Sequence, residues 1–269
     1  MSSSKTFALA LLQGLPLCLL LLAQSLSAAA TEPQALSYRV LERQAQDRSL
    51  FVQGLTFAQG HLYLATGGYG ESKIQKISKA TGQLVSEAVL ADRYFGEGIA
   101  LLNGKLAQLT WRSGRGYLRD PDSLAVIKPF RVDGEGWGIT ASETEWIISD
   151  GSSYLTFLDA DTLQPVRKLR VTLNGKSVSR LNELEMIDGY VWANIWFDSR
   201  VVIIDPTTGV VEAVLDLSDL LPQSERSPNT DVLNGIAFDK EENAVWFTGK
   251  RWPWRYKLEI LPDRPKVSR

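Results

Sequence analysis

The stretch EGIALLNGKLAQLTW, residues 97–111, contains two short apolar segments joined by Asn103-Gly104, a dipeptide typical of tight turns between antiparallel strands. It therefore predicts a β-hairpin. Four similar pairs of segments occur elsewhere in the chain, and each pair opens with a small residue or, once, with a glutamate. The five openers, 40 to 52 residues apart, are GLTF at Gly54, GIAL at Gly98, GITA at Gly138, ELEM at Glu183 and GIAF at Gly235.

This repeat predicts an all-β fold, specifically a five-bladed β-propeller, because a period of about 45 residues is that of one four-stranded blade. The last copy ends after three strands, whereas the segment LSYRVLER, residues 36–43, precedes the first copy. We expect this N-terminal strand to complete the last blade and cover its exposed edge. A β-sandwich also has short, evenly spaced strands. Five copies of one unit favour the propeller.

Residues 1–30 are predicted to be a secretory signal peptide, so we expect an exported protein. Lys5 precedes an apolar run over residues 7–22, and small residues follow at 27–30. A membrane anchor is the alternative. It is disfavoured because the run is interrupted and shorter than the roughly 20 apolar residues that a spanning helix needs. Residues 31–269 are predicted to form one propeller domain.

Composition narrows the class of protein. The only cysteine, Cys18, lies in the predicted signal peptide, so residues 31–269 cannot form an internal disulfide bond. The same residues contain 28 basic and 31 acidic side chains, without a basic run. This weakly acidic balance argues against nucleic acid or an anionic membrane as a partner.

The residue types exclude several kinds of site. His61 is the only histidine, which excludes zinc sites built from several histidines and cysteines and disfavours a Ser-His-Asp mechanism. His61 is expected on the surface, in the hairpin of the first unit. No calcium-loop spacing is present, although a carboxylate cluster for calcium stays open. Carboxylate, carboxamide and indole groups remain as candidates.

The residue before each opener differs in every copy: Gln53, Glu97, Trp137, Asn182 and Asn234. Equivalent positions in a closed ring converge on the mouth of the central channel, where pockets are common. Trp111 and Trp196 end their second strands and are expected at the same mouth. Three other tryptophans lie inside second strands and are expected in the core between blades: Trp146, Trp192 and Trp246.

Seven segments resemble the plant and bacterial glutaminyl-peptide cyclotransferases. They are FVQGLTF (51–57), YFGEGIALLNGKL (94–106), GWGI (136–139), SRLNELE (179–185), VWANIW (191–196), DVLNGIAFD (231–239) and FTGKRWP (247–253). The resemblance implies a five-bladed propeller that converts N-terminal glutamine to pyroglutamate and releases ammonia, without a metal or other cofactor. It also implies a periplasmic or secreted location. The family's first motif has a threonine where this chain has Val52, from which we expect little consequence.

Carried over residue by residue, the resemblance implies catalytic roles for Glu97, Gln53 and Asn182. The substrate-binding residues would be Phe51, Phe95, Trp111, Trp137, Trp196 and Lys250. With histidine unavailable, we expect Glu97 to be the general acid and base, with a pKa raised by its aromatic surroundings. The alternative is an ordinary buried acid paired with a lysine or a backbone amide.

Gln53 and Asn182 would bind the substrate carboxamide and the developing oxyanion. The tryptophans would form the walls. Lys250 would orient a carboxylate or donate to a carbonyl, or it would be a solvated lysine in a turn. Asn234 has an equivalent position but no assigned role.

The expected partners are peptides or proteins with N-terminal glutamine. We expect a monomer, with no nucleic-acid partner and no membrane association after removal of the signal. The alternative functions are a propeller that binds partners without chemistry and a calcium-dependent lactone or sugar hydrolase, since a fold alone proves no activity.

Overall fold

The part of the chain that the structure describes, residues 32–265 of a computed structural model, is built almost entirely from β-strands. Within this range one short 3-10 helix, Gln223–Glu225, interrupts the strands. The prediction of an all-β fold is therefore confirmed. The predicted signal peptide, residues 1–30, lies outside the described residues. Among residues 32–265, no helix has the length and apolar character needed to cross a membrane.

Most strands belong to five sets of antiparallel neighbours, which we number in chain order. Set 1 comprises β2 (Val52–Ala58), β3 (His61–Thr66), β4 (Lys73–Ser78) and β5 (Leu84–Val89). Set 2 comprises β6 (Gly96–Leu102), β7 (Lys105–Thr110), β8 (Arg115–Arg119) and β9 (Val126–Arg131). Set 3 comprises β10 (Ile139–Ala141), β11 (Glu145–Ser149), β12 (Tyr154–Asp159) and β13 (Pro165–Arg170). A small hairpin follows, with β14 (Thr172–Leu173) and β15 (Lys176–Ser177). Set 4 comprises β16 (Leu181–Ile187), β17 (Tyr190–Ile195), β18 (Arg200–Ile204) and β19 (Val211–Asp216). Set 5 comprises β20 (Leu233–Asp239), β21 (Ala244–Gly249) and β22 (Trp254–Leu261).

The N-terminal strand β1 (Gln34–Ala45) completes set 5. From Ser37 to Ala45 it pairs antiparallel with β22, which confirms the predicted pairing of the N-terminal segment with the last unit. Its first three residues, Gln34 to Leu36, pair in parallel with β19 of set 4, an arrangement that the repeat did not predict. Sets 4 and 5 therefore share one eight-stranded sheet, and the outer edge of β22 is covered.

The first strands of the five sets contact one another in a closed order: β2 with β6, β6 with β10, β10 with β16, β16 with β20, and β20 with β2. Opening glycines permit this approach. A Cβ atom on Gly138 would lie 2.0 Å from the carbonyl oxygen of Asn182, and one on Gly98 would lie 2.8 Å from that of Trp137. Only a residue without a side chain fits such contacts without a shift of the backbone.

The core lies between successive sets. Each cluster of buried apolar side chains among the described residues draws mainly on two neighbouring sets, and sets 5 and 1 share a cluster in the same way. Trp146, Trp192 and Trp246 are all at most 4% exposed and each belongs to one of these clusters, as predicted. Truncating a buried residue of this size to alanine typically costs about 3–5 kcal/mol, so these indoles hold neighbouring sets together.

Glu183 stands in set 4 where sets 1, 2, 3 and 5 have glycine. Its two carboxylate oxygens accept hydrogen bonds from the backbone N–H of Leu55 at 3.2 Å and of Ile236 at 2.8 Å. Glu185, two residues further along β16, accepts one from Phe238 N–H at 3.0 Å. These side chains tie set 4 to sets 1 and 5 where the first strands meet.

Candidate active site

One pocket of about 160 Å³ lies at the edge where the first strands of the sets begin and the second strands end. It contains all nine residues that the sequence singled out for catalysis and binding. They are Phe51, Gln53, Phe95, Glu97, Trp111, Trp137, Asn182, Trp196 and Lys250, with Phe197 and Asp231 completing the lining. Residues from all five sets or their flanking turns therefore meet in one pocket. The roles of these residues stay predictions.

A local irregularity occurs in four of the first strands, and in three of them it explains why the residue before the opener reaches the pocket. The strand register shifts between Val52 and Gly54, between Gly96 and Ile99, between Leu181 and Leu184, and between Leu233 and Ile236. A bulge of this kind leaves a residue outside the ladder and re-aims its side chain. Gln53, Glu97 and Asn182 fall within three of these intervals and line the pocket, whereas Asn234 falls within the fourth and, contrary to the prediction, does not line it. Trp137 lines the pocket without such a shift in β10.

Glu97 is the buried acid of the pocket, with only 4% of its surface exposed. Burial raises its pKa well above the usual value, and the negative charge of Glu135 acts in the same direction. The nearby Lys250 and a hydrogen bond from the Gln53 side chain oppose the rise. A carboxyl group whose pKa is raised is a stronger base than an ordinary glutamate and keeps its proton to higher pH, which suits it to both halves of a proton transfer.

Lys250 is also 4% exposed, so the alternative of a solvated lysine in a turn is wrong. The backbone fixes it, because its N–H donates to Val232 O at 2.9 Å and its carbonyl accepts from Asp231 N–H at 3.0 Å. The Nζ atom lies 4.8 Å from the centre of the Phe51 ring. Burial lowers the Lys250 pKa, while Glu97 and Asp231 work against that change.

The aromatic lining forms two groups of rings in edge-to-face or tilted contact. In the first, Phe95 lies 6.0 Å from Phe51 and 5.5 Å from Trp111, measured between ring centres. In the second, Trp196 lies 5.4 Å from Trp137. Such contacts typically add about 0.5–1.5 kcal/mol beyond burial, so each ring limits the movement of its neighbours.

Glu135 holds both groups of rings and was missed by the sequence reasoning. One carboxylate oxygen accepts hydrogen bonds from the indole N–H groups of Trp111 and Trp137, each at 2.8 Å. The other accepts from Arg112 Nε at 2.8 Å. Burial favours the neutral acid, yet the bonds from Trp137, Arg112 and Trp111 hold the Glu135 pKa below its usual value. Its position two residues before Trp137, on the same side of an extended chain, was the available signal.

Phe197 and Asp231 were also missed. Phe197 has a left-handed backbone with φ of 62°, an uncommon conformation for a residue of its size. Its ring is 64% exposed and packs 4.5 Å from that of Trp196. The unusual backbone thus presents an aromatic ring at the rim of the pocket. Asp231 lies in the segment DVLNGIAFD but has no special spacing that would mark it.

Among residues 32–265, no group of three or more histidine, cysteine, aspartate and glutamate side chains is placed to hold a metal ion. A second cavity, of about 180 Å³, lies beside sets 2 and 3 and contains none of the nine predicted residues. Glu135 forms part of its lining.

Comparison with known proteins identifies the family. The family model described as glutamine cyclotransferase matches residues 14–260. The glutaminyl-peptide cyclotransferase of Arabidopsis thaliana is 35% identical over 234 residues, which cover 84% of this chain and 73% of the plant protein. The crystal structure of Myxococcus xanthus glutaminyl cyclase aligns with a TM-score of 0.79 and 33% identity, over 85% of this chain and 98% of the bacterial one. These matches confirm the resemblance seen in the motifs, and the chain belongs to the glutamine cyclotransferase family.

Proposed function

We propose that this protein converts N-terminal glutamine of peptides and proteins to pyroglutamate and releases ammonia, without a metal, with Glu97 as general acid and base. The observation that carries the proposal is a buried carboxyl group with a raised pKa inside an aromatic pocket that also contains two carboxamides and a lysine. The names of the plant and bacterial relatives support the substrate class.

The reaction needs one proton carrier. The α-amine attacks the carbon of the side-chain carboxamide, a ring C–N bond forms, and the C–N bond to the departing nitrogen breaks. The amine must lose a proton and the departing nitrogen must gain one. Glu97 in its ionised form takes the first proton and delivers it to the leaving ammonia. An N-terminal amine has a reference pKa of about 7.7–8.0, so a raised carboxyl pKa brings donor and acceptor closer together.

Lys250 supports this cycle through its charge. It lies close enough to Glu97 to favour the ionised carboxylate, and a nearby cation disfavours the ammonium form of the substrate amine. Asn182, 2% exposed at the start of β16, donates to the oxygen that becomes negative during attack. A donor of this kind typically contributes about 10²–10³ in rate.

The aromatic walls hold the substrate in its reactive shape. Rings on both sides of a 160 Å³ pocket exclude water and keep the glutamine side chain folded toward its own amine. Well-oriented intramolecular reactions gain about 7–11 kcal/mol from such positioning. The pocket needs only to restrict a chain that already carries both reacting groups.

The experiment is ammonia release by purified residues 31–269 from a peptide that begins with glutamine. We expect ammonia and a cyclised product in equal amounts, and none from the same peptide with an acetylated amine. Treatment with a chelator should leave the rate unchanged. Absence of ammonia across pH 6–9, the range that brackets the amine pKa, would favour a propeller that only binds partners.

Two further proposals concern the whole chain. The five sets are the blades of one propeller, which the closed order of contacts between first strands supports. Residues 1–30 direct export to the periplasm or the medium and are then removed. N-terminal sequencing of the exported protein tests the second proposal, and a protein that retains residues 1–30 would contradict it.

A further inference from the structure

Asn234 precedes the opener of set 5 but does not line the pocket. It is fully buried, and its side-chain Nδ2 donates to the carbonyl oxygen of Val52 at 3.0 Å and to Oε1 of Gln53 at 3.2 Å. Both acceptors belong to set 1, across the contact between β20 and β2. Asn234, to which the sequence repeat assigned no role, therefore contacts Gln53 of the pocket directly.

These two bonds determine which way two amides point. A backbone carbonyl can only accept, so the Asn234 atom that faces Val52 O is the nitrogen. The same nitrogen faces Gln53, so the Gln53 atom opposite it is the oxygen. The Gln53 nitrogen is then directed away from Asn234 and toward the pocket. Side-chain amides are otherwise free to present either atom, and a fixed carbonyl removes that freedom.

We propose that Asn234 is a positioning residue that locks the Gln53 carboxamide so that its Nε2 group donates to Glu97. This inference rests on the proposed function, because it describes how the proton carrier of that reaction is held. The observed bonds run from Asn234 to a backbone carbonyl in β2 and to Gln53, and the proposed bond from Gln53 to Glu97 would extend them to the reacting group. Only Gln53 and Glu97 belong to the pocket lining.

The charge environment of Glu97 agrees with the proposed bond. A hydrogen bond from Gln53 favours the ionised form of Glu97 and opposes the effect of burial on its pKa. The other charged groups that act on it are Lys250, which favours ionisation, and Glu135, which opposes it. Gln53 and Lys250 both oppose the rise in the Glu97 pKa that burial causes. Loss of the Gln53 donor leaves only Lys250, so a larger fraction of Glu97 would be protonated at a given pH.

The test is a double-mutant cycle with a pH profile. Asn234→Leu should lower kcat/KM roughly tenfold, the effect of one lost hydrogen bond, and should move the acid limb of the profile to higher pH. In a Gln53→Met background the same change should cost less than about twofold, because the residue through which Asn234 acts is gone. Equal losses in both backgrounds, or an unmoved acid limb, would overturn the proposal.

The Gln53→Glu variant keeps Asn234. It therefore tests the proposal even if the Asn234→Leu protein does not fold. Glutamate keeps an oxygen toward Asn234 but replaces the donor toward Glu97 by another oxygen. We expect a lower rate and an acid limb at higher pH, whereas a profile like that of the wild type would contradict the assigned orientation. If the wild type releases no ammonia, the proposed function itself fails; if it does and the cycle is additive, only the role of Asn234 fails.

Discussion

Removing Glu135 should disable the pocket by releasing its walls. The change also removes a negative charge that helps to raise the pKa of Glu97, so a control for that charge is needed. The Glu135 carboxylate accepts 2.8 Å bonds from the indoles of Trp111 and Trp137, which belong to different groups of rings. A hydrogen bond to a charged group contributes about 1.5–3 kcal/mol, and the partial exposure of Glu135 favours the lower end. Loss of both bonds releases two walls, and displacement of about 1 Å can cost 10²-fold in rate. We therefore expect Glu135→Leu to lower kcat/KM about 10²-fold.

Two matched variants separate the walls from the charge. Glu135→Gln keeps one oxygen that both indoles can share but turns a donor toward Arg112 Nε, so its loss should stay below about tenfold. Arg112→Met removes the same ion pair and leaves both indole bonds, so it should resemble Glu135→Gln. Steady-state ammonia release with a glutamine-initiated peptide measures all three. A folded Glu135→Leu protein with a rate within about twofold of the wild type would refute the positioning of the walls by Glu135.

Three other predictions follow from the same geometry. Phe197→Ala should raise KM with little change in kcat, because a ring at the exposed rim contributes binding shared by substrate and transition state; a fall in kcat alone would contradict this. Gly151→Ala should destabilise the protein by roughly 1–3 kcal/mol and reduce the rate. The new Cβ would lie 2.6 Å from the Trp137 ring, and the backbone φ of +80° is unfavourable for alanine. An unchanged melting temperature and rate would show that the ring is free to move. Burial raises the pKa of Glu185 from 4.5 to about 8, so between these values the folded protein keeps a proton that the unfolded chain has released. Glu185 should therefore contribute a loss of stability of up to about 5 kcal/mol as pH rises from 4.5 to 8. Glu185→Gln should remove this contribution and make the dependence in urea unfolding less steep, while Glu97 and Glu183 keep theirs; an equally steep curve in the variant would contradict the assignment.

Much of the fold could be predicted from the sequence, because each pair of strands is encoded by residues that are close to one another in the chain. A short apolar strand followed closely by a second one recurs in every unit, and four of the five units open with glycine, so strand positions follow from neighbouring residues. The parallel pairing of Gln34 to Leu36 with β19 has no such signal. It depends on the position of the N-terminal strand after the five sets have packed together. No local sequence pattern predicts that position.

In the pocket, too, some features could be predicted from the sequence and others could not. The pocket residues before the openers were found because they share one position in the repeat, and a bulge directs three of them, Gln53, Glu97 and Asn182, into the pocket. Glu135 was missed because its importance lies in two indoles brought together by folding. The contact between Asn234 and Gln53 crosses from the last set to the first, a separation of 181 residues, and so leaves no trace in sequence spacing.

Glu183 shows why a departure from the repeat can be structural. Glycine at an opener allows close approach of two strands, whereas a carboxylate here accepts backbone N–H groups from two other sets. Together with Glu185 it places two acidic side chains in the interior, and burial raises the pKa of both. Their bonds to the backbone connect three first strands, in addition to the bonds of Asn234 that join β20 and β2.

The role of Glu97 as the proton carrier is tested by the rate of ammonia release by Glu97→Gln. This change keeps the size of the side chain and removes its ability to carry a proton. The matched control is Glu143→Gln, at an exposed glutamate in the turn before β11. We expect Glu97→Gln to lower kcat by about 10²–10⁴ and the control to keep the wild-type value. A Glu97→Gln rate close to that of the control would contradict the assignment of Glu97 as the proton carrier.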